Sequence, residues 1–178
     1  MDRRTFAAGT AMLPALALTA CATRASIGDG TSVKPNEGLL AFKISSGVYA
    51  KLNYVKYEPS RSLSGFLSEM LVAPPGTFAV DMGDTYFVYA IEASEYMWGQ
   101  LTIGMGAVAD MHGSNRFVVK QGVITYIGHL SLNLLGRRVD MRSSDQEQDM
   151  RAHLAAKFPK YTATMAFQKA IAEFRLAG

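Results

Sequence analysis

From Gly38 to about Arg142 the chain alternates apolar and polar residues with the period of β-structure. Leu40, Phe42 and Ile44 alternate with Ala41, Lys43 and Ser45, so one face of a strand is apolar. Tyr49 to Tyr57 is rich in Tyr, Val and Leu, and Glu58-Pro59-Ser60-Arg61-Ser62 breaks it. Phe66 to Ala73 is a further apolar run, closed by the turn residues Pro74-Pro75-Gly76. Phe78, Val80 and Met82 alternate with Ala79 and Asp81, and Gly83-Asp84 turns the chain. Thr85 to Ile91 is almost wholly apolar or aromatic, as in a central strand covered on both faces. Trp98 to Met105 is another candidate strand, and 104–115 reads as a glycine-containing loop or irregular hairpin. Arg116–Lys120 and Val123–Leu135 follow, separated by Gln121-Gly122. In the longer of these, Ile124, Tyr126, Leu130, Leu132 and Leu134 are expected on one face, with Thr125, His129, Ser131 and Asn133 on the other. Val139 and Met141 extend this into a last strand.

The period then lengthens. Ser144 with Glu147 three residues on has the form of a capping box, and Met150, Leu154 and Phe158 recur on one helical face, predicting a helix over 144–158. Ala163, Phe167, Ala170, Ile171 and Phe174 predict a second over 162–176. Many short strands with regular turn signals, then two helices, define a mainly β fold: an antiparallel β-sandwich with two C-terminal α-helices, a single domain over 38–178.

The amino terminus has a different organisation. Asp2-Arg3-Arg4 is charged, and Thr5 to Ala20 carries no charge while Phe6, Met12, Leu13, Leu16 and Leu18 supply hydrophobicity. That layout predicts a signal peptide over 1–20. The uncharged run is shorter than the ~20 apolar residues that span a bilayer. Residues 22–37 carry Gly, Asp, Ser, Thr, Lys, Pro and Asn, so 21–37 is expected to be a flexible tether.

Leu18-Thr19-Ala20-Cys21 resembles the lipobox of bacterial lipoproteins, Leu-x-small-Cys. The resemblance implies a diacylglycerol on the Cys21 thiol, cleavage before Cys21 and acylation of the new amino terminus. No cofactor is expected besides this covalent lipid on Cys21. Ala22, where an Asp would retain such proteins at the inner membrane, implies the periplasmic face of the outer membrane. Asp2-Arg3-Arg4-Thr5-Phe6 also resembles the twin-arginine export signal in Arg3, Arg4 and Phe6. Asp2 replaces the usual Ser or Thr, and Ala7 and Ala8 the usual Leu and Lys, so a general secretory signal stands beside it as an alternative. Phe117–Leu130, with the Pro74–Phe78 turn, resembles uncharacterised envelope lipoproteins whose expected fold is a β-sandwich.

Composition narrows the field. The formal net charge of +3 falls by one when Asp2, Arg3 and Arg4 are removed, too balanced for a nucleic-acid-binding surface. Cys21 is the single cysteine; once acylated, it leaves no thiol for a disulfide, a redox pair or a nucleophile.

Candidate chemistry is sparse. Of the three histidines, His129 is expected on the polar face of a strand and His153 on a polar stretch of helix, and no Gly-x-Ser-x-Gly elbow presents a nucleophile. Asp81 and Asp84 flank a turn, where Asp is an ordinary residue; Glu92 and Glu95 are a second acid pair. Met105, Met111 and His112, with Met97 nearby, offer thioether and imidazole ligands suited to Cu(I), against the commoner use of Met as core filler. Tyr54, Tyr57, Tyr86, Tyr89, Tyr96 and Trp98 either line a groove for glycan, peptide or lipid or belong to the core, the plainer reading in so β-rich a stretch. These features point to a lipid-anchored envelope protein, a non-catalytic binding or structural module whose partners are the membrane and an envelope protein or glycan. A periplasmic copper-binding protein and a hydrolase with an unrecognised site are the alternatives.

Overall fold

The computed structural model describes residues 26–57, 76–104, 107–111, 116–136 and 138–172. Cys21, Arg3, Arg4, Met105, His112 and the run Phe66–Ala73 lie outside them. Among the described residues, ten strands and two helices make a sandwich of two sheets with a helical layer on one outer face. In the first sheet β1 (Glu37–Ser46) lies between β4 (Gly83–Glu92), antiparallel, and β8 (Val123–Leu135), parallel. The far side of β8 is shared by β10 (Ala166–Lys169), parallel, and β9 (Arg138–Ser144), antiparallel. The second sheet runs β3 (Gly76–Val80), β2 (Ala50–Lys56), β5 (Ser94–Ile103), with β6 (Ala107–Asp110) and β7 (Arg116–Val119) sharing the far side of β5.

Between the sheets lies the aromatic and aliphatic core. Leu40, Phe42 and Ile44 from β1 meet Phe87, Tyr89 and Ile91 from β4, and Phe78, Trp98 and Leu101 from the second sheet. The expected alternation in β1 and the double-sided burial of β4 are both present, because Leu39, Ala41 and Val88 on the opposite face pack under the helices. Among the described residues β4 is the terminal strand of its sheet, not a central one.

Strand β8 departs from the expected pattern. Between Ala41 and Lys43 the β1–β8 register slips, so Ile127 and Gly128 together oppose Phe42. Gly128 takes φ +110°, which a side chain resists. The extra residue inverts the alternation: Ile124 and Tyr126 lie in the helix-side cluster, whereas Ile127, Leu130 and Leu132 lie in the sandwich core. A matching bulge sets Gly99 and Gln100 against Asn53, and thereby puts Tyr96 and Trp98 on the same face as Leu101 and Ile103.

Helix α1 (Glu147–Lys157) forms near the expected position and buries Met150 and Leu154, with Phe158 just beyond its end. Its start is not a capping box. Ser144 belongs to β9, the Glu147 N–H is accepted by Asp145 Oδ1 at 3.1 Å, and the Glu147 carboxylate takes Arg151 at 2.8 Å. Over 162–172 the helix expected for 162–176 is replaced by the end of α2 (Pro159–Thr164), opened by Pro159, and by β10, while 173–176, with Phe174, lie outside the described residues. Beyond Met165 the chain turns extended and pairs with Val123–Tyr126. Backbone groups along the side of β8 need partners, and Phe167 in strand form still packs with its ring 6.0 Å from that of Tyr126.

The expected tether is also shorter than 21–37. The Ile27 N–H donates to Val88 O at 2.9 Å, and Tyr161 OH donates to Thr31 O at 2.6 Å and to Gly28 O at 3.1 Å. Asp29 accepts the Lys160 N–H at the start of α2, while Ile27 and Val33 pack against the helix-side cluster. Segment 26–36 is therefore docked. Among the described residues no helix is long and apolar enough to cross a membrane.

Candidate functional site

One row of side chains crosses the outer face of the first sheet: Tyr86 on β4, Lys43 on β1, His129 on β8 and Ser144 on β9 are successive cross-strand neighbours. In the next row Asp84 sits beside Ser45. Helix α1 lays Asp149 and His153, one turn apart, over this array. The strand pairing thus gathers residues that lie far apart in the sequence, and the bulge at Ile127–Gly128 is what puts His129 on this face.

Lys43 is the hub. Its Nζ lies 3.0 Å from Asp84 Oδ2 and 3.0 Å from Asp149 Oδ2, with its side chain only 11% exposed. Burial works to lower the ammonium pKa, but hydrogen bonds to Asp149 and Asp84 outweigh it and hold the group above its ordinary value. Tyr86 OH donates to the same Asp149 oxygen at 2.7 Å, and the His153 ring stacks flat on Tyr86 with centroids 3.9 Å apart. The Asp84 carboxyl is held below its usual range first by Ser45 and then by Lys43; that of Asp149 first by Tyr86 and then by Lys43.

His129 is buried, not on a surface as expected. Ser45 Oγ donates to Asp84 Oδ1 at 2.5 Å, so its oxygen accepts the proton that His129 Nε2 brings at 2.7 Å. His129 Nδ1 is then the acceptor, and Ser144 Oγ donates to it at 3.2 Å. The chain Ser144–His129–Ser45–Asp84 has exposed groups at both ends and a buried ring in its middle. It can pass a proton along its length. It is not a Ser-His-Asp triad, because the ring reaches a carboxylate only through Ser45.

Burial, and after it the Lys43 cation, lower the His129 pKa; burial also lowers that of His153. Both rings bind protons more weakly in the folded chain than in the unfolded one. Their stabilising contribution is therefore complete above the ordinary value of 6.5 and is lost as the pH falls below it toward the folded-state values. Urea unfolding at pH 7.5 and at pH 5 is expected to give a lower midpoint at pH 5, and His129→Gln to shrink the difference. Lys43→Met is expected to raise the His129 pKa, read from its ring proton shifts in an NMR titration, because it removes the neighbouring cation.

The other sequence candidates fall elsewhere. Met111 is fully buried in the sandwich core, and Met97 packs with Val55 and Tyr57. Among the described residues no group of three or more His, Cys, Asp or Glu is placed to hold a metal ion. Tyr54, Tyr89, Tyr96 and Trp98 are core residues, the plainer of the two readings, and the Arg116 guanidinium covers the Tyr57 ring at 4.1 Å. Glu92 pairs with Lys56 at 2.6 Å and Glu95 with Arg116 at 3.5 Å. An open depression of about 630 Å³ borders the array at Asp149, lined by residues 145–149; two others lie apart from it, one of about 360 Å³ beside Tyr49, Lys51 and Asp81, and one of about 240 Å³ between Arg151, Leu154, Met165 and Phe167. His129 lines none of the three.

Lys43 is the residue that sequence reasoning missed. Its signal was slight: a cation in a strand whose neighbours on both sides, Phe42 and Ile44, are core residues. Comparison with protein-family models, curated proteins and solved structures finds no match to this chain.

Proposed function

We propose that this protein is a lipid-anchored component of the bacterial cell envelope, a non-catalytic binding or structural module held at the periplasmic face of the outer membrane. The observation that carries this reading is Leu18-Thr19-Ala20-Cys21, the single cysteine of the chain placed behind a charged head and an uncharged apolar run. Acylation at Cys21 and at the new amino terminus supplies the two or more chains that stable anchoring needs. One feature of the domain supports the non-catalytic part: the charges of its most polar array, Lys43, Asp84 and Asp149, satisfy one another. Intact mass and membrane fractionation test the anchor. The mature chain is expected to begin at Cys21, carry acyl mass and sediment with membranes, and Cys21→Ser to move it to the soluble fraction. A chain that keeps Met1, bears no acyl mass and partitions with cytosol overturns the reading.

A second reading, a hydrolase, has one observation in its favour: exposed Ser144 donates to the neutral, buried His129. A fluorophosphonate probe that labels Ser144 in the parent chain and not in His129→Gln supports it. Failure to label removes it.

A further inference from the structure

The helical layer is electrically lopsided. Its acidic groups gather at the first turn of α1, where Asp145, Glu147 and Asp149 are each engaged by a cation. At the other end stand Lys157, in the last turn of α1, and Lys160 on α2; Lys34 belongs to the docked segment 26–36, whose Gly30 meets Lys160. All three lysines are exposed, as are Thr31, Ser32, Pro159, Thr162 and Ala163 around them. Lys157 there complements the α1 dipole and Lys34 leans on Glu37 at 3.7 Å, but neither role calls for Lys160. The ammonium of Lys160 lies over Gly30, and the Asp29 carboxylate accepts the Lys160 backbone N–H, so the lysine stands beside the amino-terminal segment.

The length of that entry sets where a bilayer stands. Five residue steps separate Cys21 from Ser26, and Ser26 is already tied to Val88 O at 3.0 Å. Fully extended, those steps reach about 17 Å. A domain with so short a lead cannot roam above the membrane. One of its faces must lie close to the headgroups.

We propose that the face made by segment 26–36, the end of α1 and α2 rests on an anionic phospholipid surface, with Lys34, Lys157 and Lys160 facing the headgroup phosphates. The proposal rests on the anchor at Cys21 and adds an orientation to it. The short lead brings the surface within reach, and the lysines select this face over the acidic first turn of α1. The Gly83 end of the sandwich, with exposed Met82 and Tyr49, then points away from the bilayer and is left for other envelope components.

The test uses the full acylated chain, purified from membranes and returned to vesicles of phosphatidylcholine with roughly 30% phosphatidylglycerol. With Cys21 blocked by its acyl group, a cysteine introduced by Ala163→Cys or by Met82→Cys is the one site for a fluorophore. Quenching by spin-labelled headgroups is expected to be several-fold stronger at 163 than at 82. It is expected to fall at 163 when Lys34, Lys157 and Lys160 are all changed to Gln, when the vesicles are phosphatidylcholine alone, and when about 20 Gly/Ser residues are inserted before Ser26. Equal quenching at the two positions, or no response to the lysine changes, overturns the orientation while the protein still floats with vesicles. A chain that neither carries acyl mass nor floats overturns the anchor, and the orientation with it.

Discussion

Phe42→Ala is expected to lower the free energy of unfolding by about 3–5 kcal/mol, the range for removing a large ring from a packed core. Phe42 is 2% exposed and stands where the two sheets meet. Its ring stacks on Phe87 at 4.8 Å and takes the edges of Phe78 at 5.0 Å and Trp98 at 5.6 Å. Each neighbour is held by its own strand, and the bulge at Ile127–Gly128 lies directly across from Phe42, so the surroundings cannot close over the void. The loss should fall at the upper end of that range. Urea unfolding followed by Trp98 fluorescence measures it, since this one tryptophan contacts the ring. Val118→Ala, at a position 43% exposed on β7, serves as the control and should change stability by less than about 0.5 kcal/mol. A loss below about 1 kcal/mol for Phe42→Ala would mean that the ring is not packed as described.

Gly38→Ala is expected to cost about 3 kcal/mol, at the top of the overpacking range, although it adds a single methyl group. A Cβ at Gly38 would collide with the carbonyl oxygen of Lys120 and stand 3.0 Å from Val119 Cγ1. Neither neighbour can retreat. Gly122 N–H donates to Glu37 O at 3.0 Å, which fastens the β7–β8 turn to the start of β1, and Val119 is itself buried. The obstruction is backbone, not the free end of a side chain, so relief means parting β1 from that turn. The same urea titration reads the loss. Amide exchange adds a second readout: Gly122 N–H should lose protection in the variant before the β2–β5 pairing does.

These two sites show how the layers depend on each other. The β1 strand carries sandwich core on one side and, at Lys43, the clamp for α1 on the other. A change that tilts β1 therefore reaches both the core and the Ser144–His129–Ser45–Asp84 chain.

The amino-acid sequence by itself determined most of the sandwich. Leu40, Phe42 and Ile44, the Phe78–Val80 pair and the apolar run to Ile91 are placed by a two-residue period that survives without tertiary information, because strand side chains alternate whatever the partner. Helix α1 was equally legible, since Met150, Leu154 and Phe158 repeat within a single element. The bulges, β10 and the polar array were decided only by tertiary structure. One inserted residue at Ile127–Gly128 inverts every side chain beyond it, and no local period announces it; His129 thereby moves from an expected surface to a buried row beside Lys43. Ala163, Phe167, Ala170 and Ile171 match a helical stripe, yet Ala166–Lys169 is drawn into a strand by the backbone of β8, and a demand for hydrogen bonds from a neighbouring strand leaves no trace in the spacing of apolar residues. Tyr86, Lys43, His129 and Ser144 become one row because four strands pair in one register, which is a property of the assembled sheet and not of any segment within it.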